Sequence, residues 1–122
     1  MESLLLTAAA VVALAGALFH GYVGGKIYMG HINASDLMPL TQSLSLVSWH
    51  MFTVLLLVSG ATLICVAMKP DLALLSYPIL LANAVGAALF LLLGVMGHGR
   101  LLGLPGLYLM SMTALLGWLG VS

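Results

Sequence analysis

The sequence predicts an all-α fold, an integral membrane bundle of four antiparallel helices. Three observations predict it. Of the 122 residues, 63% are hydrophobic and only 5% are charged, with a mean hydropathy of +1.24. A soluble domain carries about a quarter charged residues, so this chain lacks the polar surface to cover itself in water. Apolar runs long enough to cross a ~30 Å hydrocarbon core at ~1.5 Å per residue recur four times. Proline, glycine, asparagine and aspartate clusters separate those runs. The expected spans are about 4–24, 40–68, 75–97 and 104–120, all within a single transmembrane domain, 1–122.

The first span carries small residues at about four-residue spacing, Ala9, Ala13 and Gly16, continued by His20 and Gly24. Such a stripe lets helices approach closely in a membrane, so His20 is expected to face a partner helix. The run is read as a retained helix rather than a signal peptide, because Glu2 stands where a basic n-region belongs and the apolar segment leads into Lys26 without a convincing Ala-x-Ala-like cleavage site. Lys26 to Thr41 reads as a polar connection. Asn33-Ala-Ser-Asp36 marks its turn, and Met38-Pro39 marks the next helix entry. Tyr22 and Tyr28 suit the headgroup level.

The second span begins at Pro39 with a polar half, Thr41 to His50, and ends in nearly pure hydrocarbon before the stop at Lys69-Pro70-Asp71. In the third, Pro78 falls near the start. Asn83 is its one strongly polar interior side chain, and a buried amide must face another helix. Gly86, Gly94 and Gly97 permit close packing there. A glycine-rich link through His98 and Arg100 leads to the shortest span, with Trp118 near its far end.

Four spans place both termini on one side. The opposite side holds Lys26, His31, Asp36, His98 and Arg100. Its excess of one basic residue favours the cytoplasmic side for it and the periplasmic side for the termini, in a cell inner (plasma) membrane. Met-Gly-His occurs twice, at Met29–His31 and Met96–His98, either by chance or as a trace of hairpin duplication.

A formal charge of zero excludes a basic nucleic-acid face and a polybasic lipid-binding tail. The lone Cys65 allows no intrachain disulfide and no cysteine-rich metal motif. The glycines make no phosphate loop, since no Lys-Ser/Thr follows them. There is no Ser-His-acid set, and Glu2, Asp36 and Asp71 all lie outside the spans. That argues against a proton-coupled pump and a free-standing enzyme.

The histidines remain. His20 and His50 fall at similar depths on neighbouring antiparallel helices, with His98 at the same boundary and Arg100 beyond it. Three chemistries suit them: b-type haem ligated by His20 and His50, with Arg100 or Lys26 near a propionate; a transition-metal site on His20, His50 and His98; or a relay or gating pair in a small transporter. Against these stands the plain alternative that each histidine bonds a neighbouring hydroxyl, carbonyl or interfacial water.

His20 with Gly24, Trp49-His50 and Gly99-Arg100 resemble, in order and rough spacing, the motifs of a group of small four-helix bacterial inner-membrane proteins of unknown function. In that group an acid follows the glycine after the first histidine; here Gly25 and Lys26 follow Gly24. The resemblance implies the four-helix fold and an emphasis on His20, His50 and Arg100, but no activity. The functional expectation is an accessory, assembly or scaffold subunit in the bilayer, with a membrane-protein partner or further copies of itself. A haem- or metal-binding protein of a redox complex and a small oligomeric transporter or channel are the alternatives.

Overall fold

The computed structural model describes residues 1–122 and is all-helical. Helix α1 runs without a break over Glu2–Asn33, α2 over Pro39–Met68, α3 over Ser76–Val95 and α4 over Pro105–Val121. Short 3₁₀ turns, Pro70–Leu75 and Gly99–Gly103, open the second and third connections. Three helical stretches, Glu2–Asn33, Pro39–Met68 and Pro70–Val95, are long and apolar enough to cross a membrane. Helix α4, at 17 residues, is shorter.

The entry at Pro39 and the stop at Met68 follow the sequence signals, because proline presets the first turn of a helix and cannot continue one. One connection departs from expectation. Lys26 to Asn33 is not a polar loop but the last turns of α1, and the true loop is Ala34–Met38. Between the two α-helical parts of α1 lies a π turn, Phe19–Gly24. Gly97 also departs. It adopts φ +114° and has open space around it, so it ends α3 in a left-handed conformation rather than serving as a packing contact.

Helix α1 packs along both α2 and α4, α4 packs along α3, and α3 meets α2 only lightly. Small residues make the close approaches. Ala9, Ala10, Ala13 and Gly16 of α1 are all buried, and a Cβ on Gly16 would lie 3.3 Å from Leu109 of α4. Gly86 of α3 receives Met110, Gly94 receives Leu102 and Gly117 of α4 receives Leu80. The core is thin. Its larger cluster joins Leu6, Ala9, Ala10, Leu63, Val66 and Leu80 at the end that holds the termini. Asn83 is fully buried and donates to Ser59 Oγ of α2 at 3.0 Å and to the Ile79 carbonyl at 2.9 Å. The expected interhelical amide contact is therefore present.

The helices are unequal, and that inequality shapes the molecule. With Leu109 against Gly16, α4 begins at Pro105 near the level of His20. Phe90 of α3 lies against Gly106, so α3 ends only a little further out. Helix α1 continues through the nine residues Gly25–Asn33, a rise of about 13 Å. The first third of α2 accompanies it. Beyond Gly25 the four-helix body is thus a two-helix hairpin. Its loop is closed by Gln42 Nε2 donating to the Ile32 and Ser35 carbonyls at 3.4 and 3.3 Å.

Candidate functional site at the base of the hairpin

Where four helices become two, one cluster of polar and aromatic side chains fills the α1–α2 seam. Gly21, Gly24 and Gly25 present bare backbone on α1. Trp49 and Thr53 of α2 lie directly on it: a Cβ at Gly24 would stand 2.9 Å from Trp49 Cζ2, and one at Gly21 would stand 2.9 Å from Thr53 Cγ2. Three consecutive aromatic rings stack across the seam. The Trp49 indole lies flat on the His20 imidazole, centroids 4.1 Å apart at 10°, and the Tyr28 ring stacks on Trp49 at 4.3 Å and 13°. Phe52 meets His20 edge-on at 4.8 Å.

The π turn gives this cluster its hydrogen-bond logic. The wider turn closes with the backbone of Gly25 reaching the His20 carbonyl five residues back. That same carbonyl accepts the Trp49 indole N–H at 3.0 Å. The π turn and the indole therefore meet on one oxygen, and π turns of this kind recur at functional sites. His20 Nδ1 pairs with Thr53 Oγ1 at 3.0 Å, which fixes the ring plane. On the outer surface Lys26 Nζ donates to the Tyr22 hydroxyl at 3.0 Å, with the ammonium 4.3 Å from the ring centroid.

The sequence-marked residues divide. His20 is half-buried in the cluster. His50 adjoins it, its Cε1 3.7 Å from the position of a Cβ on Gly25, but its side chain is exposed. The two histidines are not level. Thr53 is the partner of His20 and Gly25 faces His50, so His50 sits about 4.5 Å further toward the tip. His98 and Arg100 are exposed on the α3–α4 link and line a shallow open hollow with Gly97, Gly99 and Leu101.

No three His, Cys, Asp or Glu side chains come together in a way that could hold a metal ion. The expected set of His20, His50 and His98 is not assembled, because His98 belongs to a different connection. Haem binding is not shown: Trp49 lies flat on the His20 imidazole and against Gly24, and His20 Nδ1 is taken by Thr53. The two Met-Gly-His copies also differ in backbone: Met29–His31 is helical, whereas Met96–His98 forms the turn after α3.

Trp49 is the residue of this site that its sequence motif undervalues, since the Trp49-His50 pair draws attention to the histidine. The readable signal was the glycine pair Gly24-Gly25 facing a span with one large flat side chain. Comparison with known proteins found no matching family model, no similar curated protein and no similar solved structure.

Proposed function

We propose that this chain is a multi-pass membrane protein that works as a non-catalytic scaffold or accessory subunit. The apolar body lies in the bilayer, and the α1–α2 hairpin carries its docking surface outside it. The observation that carries this reading is the hairpin itself. It continues about 13 Å beyond the last companion helix, and it gathers His31, Asn33, Ser35 and Asp36 toward its tip. Helix α3, with 20 residues, matches a ~30 Å hydrocarbon thickness. The aromatic rings fall where a headgroup layer would lie: Tyr22, Tyr28 and Trp49 near the hairpin base, and Tyr77 against Trp118 at the other end, 5.7 Å apart.

On this reading the His20 cluster is a structural clip. The stack, the indole bond and the Thr53 bond hold α1 and α2 together where they leave the support of α3 and α4. The clip keeps the hairpin rigid. The body is a four-span bundle in which the shorter α4 is shielded by α1 and α3.

The test is purification after mild solubilisation, with the intact chain beside a variant carrying His31→Ala, Asn33→Ala and Asp36→Ala toward the tip. The expected result is a stoichiometric membrane partner with the intact chain that is lost from the variant. A chain that alkaline carbonate strips from membranes, or one whose partner ignores the tip, would overturn the reading. The same preparation should show no Soret band, in keeping with the Thr53 bond and the Trp49 stack that already engage His20.

A further inference from the structure

One face of α2 has no partner in the fold, and its pattern is regular. Leu40, Leu44, Val47, Met51, Val54 and Val58 alternate four- and three-residue steps, and the series continues through Ala61 and Cys65 to Met68. At 100° per residue this is one narrow arc, on the side of α2 opposite its buried residues Leu56, Ser59, Gly60 and Leu63. The first four side chains are 67, 56, 57 and 61% exposed.

In the lower two thirds of α2 the hydrocarbon of a bilayer covers such a face. The first third, with Leu40, Leu44 and Val47, belongs to the hairpin, beyond the reach of α3 and α4, where lipid tails do not follow. A stripe of large apolar side chains outside the membrane needs protein to cover it.

We infer that the occupant is a second copy of this chain, docked α2 against α2. This rests on the membrane reading above, because insertion in one orientation makes the two α2 helices parallel. Each residue of the stripe then meets its own equivalent across a two-fold axis. The alternating spacing is that of a left-handed helix pair crossing at ~20°. The flanks suit self-association. Thr41 and Ser48 on one edge and Ser43 and His50 on the other bring no carboxylate, Lys or Arg against its own image. A charged partner of another kind would find nothing there to pair with. The area is also sufficient. A large aliphatic side chain offers on the order of 100 Å², so the stripe presents roughly 400 Å² of apolar surface, close to the apolar share of a ~800 Å² standard interface side.

Cys65 lies on the stripe, is exposed and is the only cysteine, so it reports the contact directly. The test uses pure protein reconstituted in sealed phospholipid vesicles and oxidised with copper phenanthroline. Native Cys65 should cross-link to a dimer. So should Val47→Cys in a Cys65→Ser background, while Leu115→Cys on the exposed face of α4 in that background should not. Val47→Asp, which sets two carboxylates face to face, should lower the native Cys65 cross-link about tenfold. An inserted chain with no Val47→Cys cross-link, or one that cross-links only through Leu115→Cys, overturns the proposal. So does a Val47→Cys variant that captures a different polypeptide in native membranes yet never its own copy in vesicles. Loss of membrane insertion refutes the scaffold reading instead, so the two failures are distinguishable.

Discussion

Trp49 does more for the hairpin base than the histidine beside it. Its ring covers bare glycine backbone, stacks between His20 and Tyr28, and donates to the His20 carbonyl. Trp49→Ala removes all three contacts and should destabilise the protein in detergent by about 3 kcal/mol or more, measured by thermal or denaturant unfolding. Trp49→Phe retains a ring on the glycines but abandons the carbonyl, and its loss should be smaller. Thr53→Val keeps the shape of the side chain and deletes the hydroxyl that holds His20 Nδ1. Its cost should lie near the interhelical hydrogen-bond range of about 0.6–1.7 kcal/mol. At this scale the sequence was partly legible. The small-residue stripe rightly turned His20 toward a partner helix, because only small residues on that face permit the approach. The identity of that partner depends on the register between α1 and α2, and no local pattern states it.

Among the helices, glycine contacts differ by what they meet. A Cβ on Gly86 would run into the end of the Met110 side chain, which can swing aside. A Cβ on Gly120 would lie 3.0 Å from the Leu6 backbone nitrogen and 3.1 Å from the Glu2 carbonyl, and helix backbone does not yield so easily. Gly120→Ala should therefore lower the melting temperature more than Gly86→Ala does, and equal shifts would contradict the packing described. Boundaries set by proline were legible: Pro39 and the Lys69-Pro70 stop fall where their chemistry places them. The end of α1 was not. Gly24, Gly25 and Gly30 have poor helix propensity and read as a loop, whereas α1 continues because Trp49 packs on two of those glycines. Tertiary packing overrides propensity there, and the π turn that accommodates it has no sequence signature of its own.

For the whole molecule, composition stated the helical class and the apolar outer surface. The inequality of the helices decides what that surface is for. The four-helix body is about 30 Å long and the hairpin extends about 13 Å beyond it, and the proposed membrane reading assigns the body to the bilayer and the hairpin to water. Neither length could be read before the end of α1 was known. The central claim is this division, with the hairpin and the α3–α4 link on one face of a bilayer and the termini on the other. Labelling by a membrane-impermeant maleimide tests it most directly, using single-cysteine variants in sealed vesicles on a Cys65→Ser background. Ser35→Cys and Gly99→Cys should react from one side, and Asp71→Cys and Ser122→Cys only from the other. Labelling of Ser35→Cys and Asp71→Cys from the same side of an intact membrane would contradict the account.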